Sequence, residues 1–179
     1  MVNSEFLALC AKAWTLQILA HIVSGQSPRI APMSHELGAG RTAITSSLEY
    51  LIDLGYVRRA SGHGHPLRPA YSLTNKGEVV ALWAAELDQI LSIEEWSIAR
   101  KTWSLPVLRS TASAQRFGEI RIALQPVTDR ALSNTLKLLS ENTWIRREVD
   151  TEAQPPSVFY SPCGKGQLLT PHLELTYQL

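Results

Sequence analysis

The strongest constraint on the fold is that the chain repeats itself once, about 88 or 89 residues further along. The segment KAWTL at 12–16 recurs as KTWSL at 101–105. Shared apolar spacing alone would not repeat Lys-x-Trp, aromatic-x-Arg-Arg and Tyr-Ser…Lys-Gly in one order, so we interpret the repeat as a duplicated domain. The other matching residues are Leu48, Leu51, Tyr56, Arg58 and Arg59 against Leu136, Leu139, Trp144, Arg146 and Arg147, and Tyr71, Ser72, Lys76 and Gly77 against Tyr160, Ser161, Lys165 and Gly166.

The first copy predicts three helices, a β-hairpin and a long helix. Apolar residues at helical spacing predict helices from Ala13 to Val23 and from Arg41 to Leu54. A shorter helix begins near Ser34 and stops at Gly38, and Gly55 follows the third helix where a C-cap favours positive φ. The remaining predicted elements are strands Tyr56–Arg59 and Ala70–Leu73, a turn over 61–66, and a helix Lys76–Leu91.

The second copy predicts the same order. Pro106 falls within the first of its helices and limits or kinks the opening turn, and Pro171 shortens or bends the last helix. The predicted helices are Trp103–Leu108, Gly118–Leu124, Asp129–Leu139 and Gly166–Leu169, and the predicted strands are Trp144–Val149 and Ser157–Ser161.

Three helices followed by a hairpin form the order of a winged helix domain. We therefore expect a mainly α chain with small β-hairpins (α+β), built as two tandem winged helix-turn-helix domains. The predicted boundaries are 1–92, which includes the long helix, and 93–179. The join at 92–96 lacks flexible Gly/Ser character, so we expect a continuous or tightly packed helical connection.

Composition limits the classes of protein to which the chain can belong. Hydrophobic residues make up 45% of 179 residues, enough for packed cores, and no apolar run is long enough for a membrane helix. Two cysteines form neither a disulfide framework nor a zinc pattern, and the start lacks a secretory signal, so we expect a cytoplasmic protein. The net charge of +1 gives no general attraction to DNA, so any DNA-binding surface must arise from local charge placement.

The repeated segments resemble the HxlR family, a branch of the MarR-like winged helix regulators. The resemblance lies in KAWTL at 12–16, RFGEI at 116–120, ALS at 131–133 and PPSVFYS at 155–161, while LG at 37–38 and LGYV at 54–57 are similar to MarR proteins generally. It implies a transcription regulator that binds double-stranded DNA. Such proteins usually carry one domain per chain and dimerise, so two copies in one chain imply a pseudo-dimeric monomer, with a homodimer left open.

The start of each third helix would enter the major groove if this implication holds. Arginine can pair with guanine, asparagine with adenine, and hydroxyl side chains with several bases or phosphates. The alternative is that these side chains are ordinary solvated residues opposite the apolar stripe. The predicted contacts are Arg41, Thr42, Thr45 and Ser46 in the first copy, and Arg130, Ser133, Asn134 and Lys137, beside Asp129, in the second.

The two hairpins differ in charge. The first offers Arg58, Arg59 and Arg68 around a glycine-rich tip, which suits an approach to phosphates or the minor groove. The second has Arg146 and Arg147, and either pair, Arg58–Arg59 or Arg146–Arg147, could equally be surface charge at the start of a strand. It also carries Glu148, Asp150 and Glu152, which phosphate would repel, so we expect the first copy to supply most of the phosphate contacts.

The sequence gives little support for metal, catalytic or redox sites. His63 and His65 lack acidic or cysteine partners, so we expect no metal site there. The sequence shows no Ser/His/Asp constellation, phosphate loop or paired carboxylate site, so we expect no catalytic residue and no cofactor. Cys10 and Cys163 are expected to pack. The five tryptophans are core or interface residues, and some could line a cavity for a small-molecule effector. The alternative function is a tandem winged helix module that docks proteins in chromosome segregation or replication, with little specific DNA binding.

Overall fold

The computed structural model describes residues 4–60, 69–152 and 156–174, which form two compact units. One unit comprises residues 12–92 and the other comprises residues 4–11 with 93–174. The helices are α1 Ser4–Cys10, α2 Thr15–Val23, α3 Ile30–Glu36, α4 Arg41–Asp53, α5 Asn75–Ile90, α6 Ile93–Ala99, α7 Ser104–Ser110, α8 Phe117–Ala123, α9 Asp129–Glu141 and α10 Gly164–Leu169. The strands are β1 Val57–Arg59, β2 Tyr71–Leu73, β3 Gln115–Arg116, β4 Ile145–Asp150 and β5 Ser157–Pro162.

The unit at 12–92 is built around α2, which packs along α5 and also contacts α4. Ile18 and Leu19 of α2 and Trp83 of α5 are buried, as their helical spacing requires for helices with one face in the core. Strands β1 and β2 pair antiparallel, with Arg58 opposite Ser72. The order of helices and hairpin is that of a winged helix domain.

The second unit has the same order around α7, which contacts α1, α6, α8 and α9. A 3₁₀ turn at Thr170–Leu173 follows α10 and also packs on α7, so a short broken segment stands where the first unit has the 16-residue α5. Pro171 explains the break, because proline removes a helical hydrogen bond. Its sheet has the order β3-β5-β4, with Arg146 opposite Ser161.

The structure confirms the α+β class and the tandem winged helices, and it corrects several details. The second helix of the first copy begins at Ile30 rather than Ser34, because Pro32 is compatible with a first turn and Arg29 is extended in a bridge to Ala70. Helix α1 and strand β3 were not predicted, being too short to show a periodic pattern. Of the two connections expected at the join, the continuous helix is wrong, because α5 ends at Ile90 and a separate helix, α6, begins at Ile93.

The predicted boundaries of 1–92 and 93–179 stay a prediction. Helix α1 lies at the start of the chain, yet it packs on α7 in the unit formed mainly by residues 93–174, where Phe6 and Leu9 are fully buried.

No single helix among the described residues is long and apolar enough to cross a membrane. The bent pair α1 and α2 meets the criterion jointly, by length and composition only.

Candidate nucleic-acid interface

The first recognition helix is α4, whose buried stripe of Ile44, Leu48 and Leu51 fixes which side faces outward. Arg41 and Thr42 are exposed at its first turn. Thr45 and Ser46 are half-buried one turn further along, and the Thr45 hydroxyl donates to the Arg41 carbonyl at 2.9 Å within the helix. The four predicted contact residues of this copy therefore lie together on the first two turns of α4, on its outward side.

A cleft of about 640 Å³ opens beside the start of α4. Arg41 lines it together with Arg29, which is exposed at the residue before α3, and Pro69 contributes from the base of the hairpin. The guanidinium groups of Arg29 and Arg41 place two positive charges at the rim of this cleft, and no acidic residue lines it within the part of the chain that the structure describes. The sequence prediction missed Arg29, although aligning it with Arg116 in the second copy would have placed it before the corresponding helix.

Arg58 and Arg59 are both exposed on strand β1 of the first hairpin. Arg58 Nε donates to Ser72 Oγ of the paired strand at 3.2 Å, which fixes the stem of the side chain and leaves its terminal donors available. Neither these two arginines nor Arg41 forms an ion pair with a carboxylate within residues 4–60, 69–152 and 156–174. The predicted contact Arg68, and His63 and His65, lie outside the described residues.

The second recognition helix is α9, which begins at Asp129 with the Thr128 hydroxyl accepting from the Ala131 N–H at 3.2 Å. Asp129 occupies the position of Arg41 and pairs with Arg121 of α8 at 3.5 Å. Lys137 pairs with Glu141 one turn along at 3.8 Å. The predicted contacts Arg130, Ser133, Asn134 and Lys137 are all exposed on α9.

The second hairpin repeats the geometry of the first but not its charge. Arg146 Nε donates to Ser161 Oγ at 3.0 Å, the counterpart of the Arg58–Ser72 bond, and it also lies 3.4 Å from Glu148 Oε1. Arg147 is exposed on the same strand, which ends at the acidic Asp150. Two of the four cations predicted to meet DNA in this copy, Lys137 and Arg146, are therefore paired with carboxylates.

The counterpart of Arg29 in the second copy is Arg116. Arg29 pairs with Ala70, just before β2, and Arg116 pairs with Phe159 of β5, the equivalent residue of the second copy. Arg116 lies over the Phe159 ring at 5.1 Å, and its backbone N–H donates to Glu119 Oε2 at 2.7 Å. Its guanidinium thus lies over an aromatic face. Arg29 instead pairs opposite Ala70 and lines an open cleft with a second arginine.

The second unit also contains a cavity of about 330 Å³ lined by Arg109, Glu119 and Glu174. Arg109 lies 4.8 Å over the Phe6 ring, and its Nη1 is buried with no hydrogen-bond partner among the described residues. Burial lowers the pKa of Arg109, while Glu174 raises it. The predicted small-molecule effector stays a prediction, and this cavity is a candidate place for it.

The two cysteines differ in burial, since Cys163 is only half-buried, and the packing role expected of both stays a prediction. Cys10 is buried, and this burial raises the pKa of its thiol well above the usual range, with Arg109 opposing the shift. A buried thiol of this kind reacts slowly. Cys163 Sγ donates to the Thr143 carbonyl at 3.5 Å. Among the described residues no group of His, Cys, Asp and Glu could hold a metal ion.

Comparison with known proteins gives the same duplication. A family described as HxlR-like helix-turn-helix matches residues 9–96 and again residues 98–179. Diamide-treated YodB from B. subtilis is 25% identical with a TM-score of 0.40, over 44% of this chain and 77% of that one. A putative transcriptional regulator of the MarR family from Porphyromonas gingivalis W83 is 24% identical with a TM-score of 0.40, over 44% and 76%. No curated protein matches.

Proposed function

The chain belongs to the HxlR-like helix-turn-helix family of DNA-binding transcription regulators, and from that premise we propose that it binds duplex DNA as an intramolecular pseudo-dimer. Each copy offers one recognition helix, α4 or α9, to the major groove, and one hairpin to the flanking backbone. A two-fold pair of such helices reads two half-sites about 34 Å apart on one face of the duplex. The proposal therefore predicts an operator with two half-sites bound by a single chain.

The observation that carries this proposal is the set of cations on the first copy. Arg41 heads the recognition helix, Arg29 shares its cleft, and Arg58 lies on the hairpin. None of the three forms an ion pair with a carboxylate among the described residues. Phosphate contacts supply much of the affinity for DNA, and cations without carboxylate partners can make them without first breaking an ion pair.

The two copies contribute unequally in this proposal. Asp129 replaces Arg41 at the start of the second recognition helix, and Glu148 accompanies Arg146 on the second hairpin. Both differences bring negative charge toward the backbone of the duplex. We therefore expect the first copy to supply most phosphate contacts, and the second to contribute mainly through the exposed polar residues of α9, such as Asn134.

The alternative function is a protein-docking module of the tandem winged helix type. It is favoured by the net charge of +1 and by the acidic second hairpin, since neither attracts a polyanion. A docking module would use the same exposed surfaces without dependence on salt of the kind that phosphate contacts produce.

A gel-shift assay of the full chain tests the proposal. The probes are genomic fragments that include the region upstream of the chain's own gene. We expect a discrete complex with at least one fragment and a steep loss of affinity as salt rises. Double neutralisation of Arg58 and Arg59 to Gln should flatten the log–log salt slope by up to about two, roughly one per phosphate contact.

The matched control neutralises Arg146 and Arg147, which should change the slope less because Arg146 is already paired with Glu148. A larger effect from this second pair would reverse the assignment of the dominant copy. If neither pair alters the affinity for any fragment, the docking function is the better one.

A further inference from the structure

A lysine outside the predicted contact set reaches the first recognition helix. Lys12 precedes α2, and its Nζ donates to Ser46 Oγ on α4 at 3.2 Å, although the two residues are 34 positions apart in the chain. Lys12 is exposed, and Ser46 is one of the residues predicted to face DNA. The contact therefore places the Lys12 ammonium group beside the side of α4 that is predicted to face DNA.

The turn that carries Lys12 is itself held in place. Thr15 Oγ1 donates to the Lys12 carbonyl at 3.0 Å, and Thr15 is the buried first residue of α2. A lysine side chain fixed at both its backbone and its Nζ has already lost part of the rotamer freedom that binding would otherwise remove. The ammonium is thus positioned before any ligand arrives.

We propose that Lys12 and Ser46 together bind one phosphate of the DNA backbone beside α4; this rests on the DNA-binding function proposed above. Lysine Nζ has three donor hydrogens, and the bond to Ser46 uses one of them. Because Ser46 Oγ accepts that bond, its own hydroxyl hydrogen can point to a second acceptor. A phosphate oxygen pair accepts from an ammonium and a neighbouring hydroxyl, the donor types that commonly contact DNA backbones.

The second copy supplies an internal comparison. The counterpart of Lys12 is Lys101, and the counterpart of Ser46 is Asn134, yet no hydrogen bond joins them within the part of the chain that the structure describes. Lys101 instead lines a hollow of about 480 Å³ together with Glu94 and Glu95. The same hollow is lined by Leu138 of α9 and by Lys165, whose Nζ lies 2.9 Å from Glu95 Oε2, so Lys101 lies near the C-terminal half of α9 and not at its start.

The test compares the full chain with its Lys12→Gln, Lys12→Arg and Lys101→Gln variants by fluorescence anisotropy on a labelled duplex of mixed sequence, about 30 base pairs long and so able to span two half-sites. We expect Lys12→Gln to weaken binding about three- to ten-fold and to flatten the log–log salt slope by about 0.9, the value for one phosphate. Lys12→Arg should keep the slope because the cation is retained, and Lys101→Gln should leave both quantities unchanged. Melting temperatures of all variants, measured alongside, establish that each one is folded.

The hydroxyl is tested by a double-mutant cycle. If the two groups hold one phosphate, Ser46→Ala should cost less in the Lys12→Gln background than in the unmodified chain, since the phosphate is already lost. Additive losses in that cycle would overturn the shared site. An unchanged slope in Lys12→Gln, or an equal change in Lys101→Gln, would overturn the proposal while variants of Arg58 and Arg59 still report DNA binding. If the unmodified chain does not bind the duplex at low salt, both this proposal and the DNA-binding function fail.

Discussion

The two copies of the winged helix share their backbone geometry far more closely than their surface charge. Arg58 bonds to Ser72 across the first hairpin as Arg146 bonds to Ser161 across the second, at 3.2 and 3.0 Å. The start of the recognition helix instead changes sign, from Arg41 to Asp129. Positions that hold the fold have few alternatives, whereas exposed positions change at little cost in stability. A duplicated domain can therefore keep its shape while one copy loses affinity for a polyanion.

The largest effect that we predict tests the shared backbone. A Cβ placed on Gly77 would lie 1.9 Å from the Tyr56 carbonyl oxygen, and one on Gly166 would lie 1.9 Å from that of Trp144. Both contacts are with backbone, which cannot swing aside as a side chain can. Gly77→Ala and Gly166→Ala should each destabilise their unit by on the order of 3 kcal/mol, measured by urea unfolding.

The control is Gly118→Ala, because a Cβ at that helical position meets nothing within 4 Å. Alanine has the higher helix propensity, so this variant should be stabilised by about 0.5–1 kcal/mol. If Gly77 tolerates alanine while Gly166 does not, or the reverse, the two copies do not share the same close backbone contact at this position.

The sequence predicted most of this shared scaffold because the scaffold depends on apolar spacing and glycine placement. Gly55, expected to end a helix with positive φ, has a φ of 75°. Which charged side chains pair with one another depends on contacts between different helices, and residue spacing does not encode those contacts. The pairing of Arg121 with Asp129 and the reach of Lys12 to Ser46 follow from how helices pack, so neither could be predicted from the order of residues. The two-residue strand β3 is too short for any periodic signal.

The next prediction concerns the charge reversal between the recognition helices. Arg41→Ala should weaken specific binding by about 1–3 kcal/mol if its guanidinium contacts a base, and Arg130→Ala should do the same in the second copy. Asp129→Asn removes a carboxylate from the second helix start, so binding should stay equal or tighten. The affinity of all three variants is measured by anisotropy titration on the genomic fragment that the unmodified chain binds most tightly. Unchanged affinity in both arginine variants, with folding intact, would remove these helices from the interface.

A smaller effect distinguishes how each copy starts the helix after its hairpin. Thr74 Oγ1 accepts from the Gly77 N–H at 3.0 Å and so caps α5, whereas its counterpart Cys163 makes no side-chain cap for α10. Thr74→Ala should therefore destabilise by about 1 kcal/mol, and Cys163→Thr should stabilise the second unit by somewhat less, about 0.5–1 kcal/mol. Thermal melts of the two variants decide between a capping position that both copies share and one that differs between them. Stabilisation absent in Cys163→Thr would mean that threonine cannot adopt the capping rotamer there.

The smallest gain in stability that we predict lies at the end of the second recognition helix. Gly55 and Thr143 occupy the same position after α4 and α9, with φ of 75° and 60°, and threonine is strained in this left-handed region because its branched Cβ crowds the backbone. Thr143→Gly relieves that strain, but glycine also gains freedom in the unfolded chain, worth about 0.4–1 kcal/mol, so the net gain should be only a few tenths of a kcal/mol. Asparagine tolerates the left-handed region without the same entropic loss, so Thr143→Asn should gain slightly more, about 0.5 kcal/mol.

The reverse change, Gly55→Ala, should cost about 1 kcal/mol because it introduces the strain where none exists. Urea unfolding should therefore rank the Thr143→Asn variant as the most stable of the three, Thr143→Gly next and Gly55→Ala last. A Thr143→Asn variant less stable than the unmodified chain would show that the threonine side chain makes a compensating contact in the second copy.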